Sequence, residues 1–341
     1  DFFALGGNSL VATQVAARLG TALGTDVPVR LLFEASTVAA LAARVESHTG
    51  QARKALTAGP RPERIPLSPA QQRMWFLNRF DEQSAAYNIP IAVRLTGELN
   101  IDALRAAVGD LIDRHEILRT YYPETEQGPV QVILPPGASV AELETRVVAP
   151  DAVEAAVIEL FSVSFDVAAQ VPLRIALFEI DGADREYVLA MVVHHISGDG
   201  SSGVPLTRDL MIAYAARVAG EAPSWQPLPV QYADYAIWQR DVLGDESDPE
   251  SLAHKQVEYW KSALADLPDQ LDLPADRPRP AVQSYAGGRA DVLIDAELHR
   301  ELVRFAHERG ATLFMVVHTA FAVLLSRLSG SDDIAIGTPM A

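Results

Sequence analysis

Apolar positions along the chain fall into two rhythms. Over the first 50 residues they recur at helical spacing. Leu10, Val11, Val15 and Leu19 follow a loop closed by Gly6-Gly7, and Val38, Leu41 and Val45 share one face of a helix expected over 37–46, with Ser36 as its N-cap. These few large side chains make a thin core, so a further helix ahead of Asp1 is expected. From Ile65 onward the rhythm alternates between helix and strand. Helices are expected over 69–80, 101–112, 151–161 and 206–218, and strands over 89–95, 173–180 and 187–194. A hairpin is expected to join 118–122 to 130–134 around Gly128-Pro129. Helices over 232–243 and 252–264 follow, then a strand near Asp291, two more helices and a strand over 334–337.

The segments between these runs suggest the domain order. Residues 47–64 are polar and contain Gly, Pro and the cations Arg53, Lys54, Arg61 and Arg64. They read as a linker. At ~5–6 Å × √n, a flexible chain of this length spans roughly 20–25 Å. Its basic residues are expected to be solvated or to contact the first domain. The expected division is 1–48, a small all-α bundle; 49–64, a linker; 65–228, a first α/β lobe; and 229–341, part of a second.

Charge and composition narrow the function. The chain has 28 basic and 45 acidic residues, a net charge of −17, which argues against nucleic acid and anionic membrane surfaces as partners. It has no cysteine, so a thiol nucleophile, a thiolate metal site and a disulfide framework are excluded. No apolar run is long enough to span a membrane. The longest, 313–325, contains His318 and is expected to be a buried core helix.

Two strings carry chemistry. The first is Asp1-Phe-Phe-Ala-Leu-Gly-Gly-Asn-Ser9-Leu10. Ser9 opens a helix, where it serves as an ordinary cap or as a point of attachment for a phosphate favoured by free N–H groups and the helix dipole. The second is His194-His195-Ile-Ser-Gly-Asp199-Gly200, at the junction of an apolar strand with a loop. Adjacent strand residues point to opposite faces, so only one of the two histidines can face a cleft, and a metal site is disfavoured.

The first string resembles the attachment signature of peptidyl carrier domains of nonribosomal peptide synthetases. The second resembles the HHxxxDG motif of their condensation domains. Four further stretches match that family's motifs in order: Ser68-Pro-Ala-Gln-Gln-Arg-Met-Trp-Phe-Leu77, Arg114-His-Glu-Ile-Leu-Arg-Thr120, Tyr232-Ala-Asp-Tyr-Ala-Ile-Trp-Gln239 and Ile336-Gly-Thr-Pro339. The likeness runs from about Ile65 to the last residue. One departure is Ser201, where many members carry Trp. The resemblance implies a carrier bundle followed by an α/β (α+β) chloramphenicol-acetyltransferase-like fold of two lobes, the second incomplete here. It also implies 4′-phosphopantetheine on Ser9 and amide formation between two carrier-bound thioesters by a cytoplasmic enzyme. The implied partners are a downstream acceptor carrier, adenylation domains and a phosphopantetheinyl transferase.

Roles within the site follow from that resemblance. His195 is expected to handle the acceptor amine, either as a general base or through a hydrogen bond to the developing ammonium. His194 is expected to pack inward. Asp199 is expected to brace the loop by pairing with Arg114, or second with Arg119. Gly200 is expected to let backbone approach substrate. His115 and His318 are read as structural or surface residues. A second class of function stays open: a noncatalytic platform that recruits tailoring enzymes to a carrier-bound peptide. The intact His motif favours the condensing enzyme.

Overall fold

The computed structural model describes residues 1–338 apart from positions 4, 8, 47–53, 139–141, 269, 282–287 and 289; for residues 9 and 10 it describes the backbone alone. Contacts divide the chain into two compact units, Asp1–Asp245 and Glu246–Ala341.

The N-terminal bundle contains α1 (Ser9–Leu23), α2 (Arg30–Glu34) and α3 (Val38–Glu46). Ala12, Ala16, Val27 and Leu32 are its buried centre, with Phe2, Val15, Leu19, Leu41 and Val45 packed around them. The five-residue α2 is too short to leave a periodic signature. The expected cap at Ser36 is displaced by one residue. Thr37 Oγ1 accepts the Ala40 N–H at 3.3 Å, while the Ser36 hydroxyl donates to the Asp1 carboxylate.

The condensed α/β body begins with β1 (Ile65–Pro66), α4 (Pro69–Phe80), β2 (Asn88–Thr96) and α5 (Ile101–Arg114). A 3-10 turn at Glu116–Arg119 leads to β3 (Thr120–Tyr121), β4 (Glu124–Thr125), β5 (Gly128–Ile133), β6 (Glu144–Val148) and α6 (Val153–Ser162). Then come β7 (Leu173–Ile180), β8 (Glu186–His194), α7 (Gly203–Val218) and α8 (Tyr232–Leu243). One sheet has the order β2-β8-β7-β6, antiparallel except for the parallel β6/β7 pair. A smaller sheet has the order β1-β5-β3, with β4 also on β5. The hairpin turn lies at residues 126–127 instead of at Gly128-Pro129, because Thr125 pairs with Gly128. Gly128 opens β5 at φ +101°, a conformation that favours glycine.

Strand alternation divides the main core into two layers. Ala176, Phe178, Ile180, Val188, Ala190 and Val192 face Leu160, Phe165 and Tyr122. Leu173, Ile175, Leu177, Leu189, Met191 and Val193 face Leu104, Val108 and Leu111 of α5, with Leu206, Leu210 and Tyr214 of α7 beside them. Both faces of β7 and β8 are therefore covered, which explains why they read as near-continuous apolar runs. The largely exposed β6 gave no such signal.

The segment from Lys54 to Arg64 is not a free tether. Trp238 Nε1 donates to the Lys54 carbonyl at 2.7 Å, and Lys54 pairs with Asp241. Arg61 forks onto Asp234 at 2.8 Å and Glu116 at 2.7 Å. Lys54 stays solvent-exposed while pairing with Asp241, but the expectation of a solvated or carrier-facing cation fails at Arg61, because α8 and the 3-10 turn supply carboxylates within reach. Arg53 lies outside the described residues. The α8 helix belongs to the first compact unit, so that unit extends past the lobe boundary expected at 228/229.

The second unit holds α9 (Leu252–Ala263), α10 (Ala296–Glu308) and α11 (Leu313–Ser329). No residue of α11 is buried, contrary to the expected core helix, because its principal neighbour within the unit is α10. The stretches 290–295 and 331–338 are not strands; neither has a hydrogen-bonded neighbour strand among the described residues. Pro339 of the last motif lies outside them. Among the described residues, no single helix is long and apolar enough to cross a membrane.

Candidate active site

His194 ends β8 and His195 follows it directly, and the two side chains go to different environments. His194 is 1% exposed, whereas His195 is exposed. His194 packs near the rings of Tyr87 and Phe165, each with a centroid 6.3 Å away. Its Nδ1 accepts the Ile196 N–H at 3.1 Å, so the neutral tautomer carries its proton on Nε2. Burial, reinforced by neighbouring His195, pushes the His194 pKa down to about 4. His194 is thus a neutral structural group whose ring closes the turn. The His195 N–H donates to the Tyr87 carbonyl at 2.8 Å, extending the β2/β8 ladder by one step and holding the backbone beneath the exposed imidazole.

Asp199 braces the loop, but not through an arginine. Its Oδ1 accepts the Ser201 N–H at 3.0 Å and hydroxyl at 2.7 Å, and the Ser202 N–H at 3.1 Å and hydroxyl at 2.8 Å. The Asp199 N–H in turn donates to Ser202 Oγ at 3.0 Å. Burial raises its pKa, but the four hydrogen bonds outweigh that and hold the carboxyl below its ordinary value. Ser201, the departure from the family pattern, is therefore part of the loop's closure. Gly200 stands in open space, so no intrachain contact requires glycine there.

Arg114 goes elsewhere. Its Nε donates to Asp209 at 2.8 Å, its terminal nitrogen to the Gln226 carbonyl at 2.8 Å, and its guanidinium lies 4.6 Å from the Trp225 ring centroid. Asp209 also meets His115 Nε2 at 3.0 Å and Arg208 Nε at 3.0 Å. The expected Asp199–Arg114 pair is thus corrected to Asp209–Arg114, because Asp209 is the buried carboxylate on the α5/α7 seam. Burial lowers the His115 pKa more than Asp209 raises it, so His115 is a neutral partner near pH 7. Arg119 is not the second candidate either. It donates to the Leu134 carbonyl and, at 3.5 Å, to that of Asp113, tying the 3-10 turn to the end of β5.

The role of Asp209 had a sequence signal. Leu206, Asp209, Leu210 and Ala213 lie on one helical stripe, and a carboxylate inside such a stripe implies a buried pair. Among the described residues, no group of three or more His, Asp or Glu could hold a metal ion.

Ser9 begins the 15-residue α1, whose first turn contains no acidic residue. The preceding loop turns at Gly6, with φ +93°, and a Cβ on Gly7 would fall 2.4 Å from the Phe2 ring. This backbone fits a serine-linked phosphate: no acidic residue in the first turn of α1 opposes the charge.

The mixed helix-and-sheet body, with an exposed imidazole just past a strand covered on both faces, has a chloramphenicol-acetyltransferase-like architecture. Residues 62–341 match the Condensation domain family, and residues 1–45 match the family of the Phosphopantetheine attachment site. The chain belongs to the condensation-domain family, with a phosphopantetheine-binding carrier domain ahead of it.

It is 47% identical over its whole length to a probable non-canonical nonribosomal peptide synthetase, CymA, of Salinispora arenicola, and 46% identical to a dimodular nonribosomal peptide synthase of Bacillus subtilis. It spans only 4% and 14% of those relatives. Among solved structures, the X-domain in complex with OxyB from teicoplanin biosynthesis is similar over 82% of this chain and 60% of that one, with 37% identity and a TM-score of 0.74. A four-domain nonribosomal peptide synthetase, holo-AB3403, is similar over 80% of this chain and 20% of that one, with 25% identity and a TM-score of 0.64.

Proposed function

We propose that this chain is a donor carrier and the condensation domain it serves, within a longer cytoplasmic nonribosomal peptide synthetase. The observation that carries the reading is the split fate of the histidine pair: His194 is buried and held neutral, and His195 is exposed at the strand end. Ser9 carries the 4′-phosphopantetheine. When attached, that group supplies the thiol this cysteine-free chain lacks, on a flexible arm that holds the donor as a thioester. As an acceptor amine attacks the donor carbonyl, the C–N bond forms, the C–S bond breaks and the amine loses a proton. His195 accepts that proton or steadies it by a hydrogen bond. Asp199 and Ser202 hold the loop, and Gly200 leaves room for substrate beside the backbone. Arg114 acts on the site only through the α5/α7 seam.

The partners are an acceptor carrier and adenylation domains of the same synthetase, and a phosphopantetheinyl transferase that loads Ser9. Neither nucleic acid nor membrane is among them. The similarity to the X-domain favours a second reading, a platform that binds another enzyme. One assay separates the two. With the donor loaded on Ser9 and an aminoacyl acceptor supplied, a single turnover forms the amide in the first reading, and Ser9→Ala abolishes loading. Loading without any amide product supports the platform.

A further inference from the structure

Behind the active-site loop runs a buried polar chain that neither the histidine motif nor the hydrophobic core accounts for. Tyr122 follows β3 and is fully buried. Its hydroxyl lies 3.1 Å from Ser197 Oγ and 3.4 Å from the Ile196 carbonyl, both within the loop that begins at His195. On its other side, Gln71 Nε2 donates to that hydroxyl at 3.3 Å and reaches the Ile196 carbonyl at 3.5 Å. A phenol that accepts from Gln71 and Ser197 and donates to Ile196 uses its single proton and both lone pairs.

The chain continues away from the site. Gln71 forms a capping box with Ser68, which places its side chain through the N-terminus of α4. Ser68 Oγ lies 3.0 Å from the Tyr232 hydroxyl at the start of α8. The backbone around Tyr122 is pinned as well: its N–H donates to the Val167 carbonyl at 2.8 Å, and its carbonyl accepts from Trp75 Nε1 at 2.8 Å. The phenol therefore stands on a fixed base. A phenylalanine would fill the same space, so packing alone does not call for the hydroxyl. Buried polar groups cost stability unless satisfied, and a satisfied network rigidifies what it joins.

We infer that Tyr122 is a positioning residue for the condensing reaction. Its hydroxyl, through Ser197 and Ile196, sets the height of the loop that carries His195. This rests on the condensing function proposed above. The loop's other hydrogen bonds are His195 N–H to Tyr87, Ile196 N–H to the His194 ring at 3.1 Å, Ser197 N–H to the His194 carbonyl at 2.9 Å, and the Asp199–Ser202 closure. The His194 ring holds the Ile196 N–H, and Tyr122 and Gln71 hold the Ile196 carbonyl and the Ser197 hydroxyl from the interior, so loss of the phenol's grip lets the backbone after His195 shift without unfolding the sheet. Displacements of about 1 Å at a reacting group cost up to ~10²-fold in rate.

The test is Tyr122→Phe in the synthetase polypeptide that carries this chain, with two readouts. Amide hydrogen exchange at 195–199 is expected to accelerate by about tenfold, while that of β7 stays unchanged. The maximal single-turnover rate is expected to fall by about tenfold or more, with less than about twofold change in the acceptor concentration at half-saturation. Adding Ser197→Ala should cost little further rate, because its bonding partner is already gone. If Tyr122→Phe does not fold, Ser197→Ala alone cuts the same bond and is held to the same outcome. Unchanged exchange at 195–199 overturns the proposal whatever the rate does, and so does a maximal rate within about twofold of the parent. Should the parent itself make no amide, the condensing function fails, and exchange alone decides the role of Tyr122.

Discussion

Asp199 and Asp209 lie at either side of the start of α7, and the molecule treats them in opposite ways. Asp199, in the motif loop, is half-buried and satisfied by its own neighbours, Ser201 and Ser202. Asp209, outside the motif, is buried and draws Arg114, His115 and Arg208 from two helices. The first is a local brace that shapes a turn. The second is a long-range tie that locks α5 to α7. Proximity to the histidines in sequence therefore does not decide which carboxylate receives the arginine; burial does, since a desolvated carboxylate needs a charged partner and a turn carboxylate can be served by hydroxyls.

That contrast is open to measurement. The largest effect is expected at the seam. Asp209→Ala leaves Arg114 buried without its carboxylate and should destabilise the fold by ~3–5 kcal/mol in denaturant melts. A loss comparable to that of a surface substitution would remove the distinction between the two aspartates.

An effect of similar kind, read by pH, belongs to the buried histidine. His194 titrates near 4 when folded and near 6.5 when unfolded, so the unfolded chain binds more protons between those values. Stability should be fully present above pH ~6.5 and fall as the pH drops toward 4, by roughly 3 kcal/mol at ~1.4 kcal/mol per unit. His115, also lowered by burial, adds to the trend with the same sign. Melting temperature measured from pH 7 to 4 checks this; a flat profile would contradict the burial of His194.

The smallest effect is expected at the loop. Asp199→Ala removes a cap-like acceptor and should cost ~1 kcal/mol, within the range for helix caps. A loss matching that of Asp209→Ala would mean that the loop carboxylate has a partner beyond the two serines.

How much of this was legible in sequence depended on whether the cause was local. The strands over 173–180 and 187–194 were readable because burial on both faces leaves an unbroken apolar run. The helix over 69–80 was readable through Ser68 and Pro69 at its start. The opposite fates of His194 and His195 followed from strand alternation alone. What escaped was long-range or weakly patterned. The Arg114–Asp209 pair joins two helices with no fixed spacing between them. The grip of Tyr122 on Ser197 connects a short strand to a distant loop. The docked course of 54–64 depends on carboxylates of α8 and Glu116. The expected strands at 291 and 334–337 needed neighbour strands, and pairing is not a property of a segment alone.

The central claim is that His195 performs the chemistry and His194 holds the strand end. The direct measurement is the single-turnover rate of amide formation for His195→Ala and His194→Ala, each corrected for its folded fraction, with the donor loaded on Ser9. The expected result is a loss of ~10²–10⁴-fold for His195→Ala in folded protein, the scale of general acid–base catalysis, and a smaller rate loss with greater damage to stability for His194→Ala. A larger rate loss in folded His194→Ala than in folded His195→Ala would contradict the account.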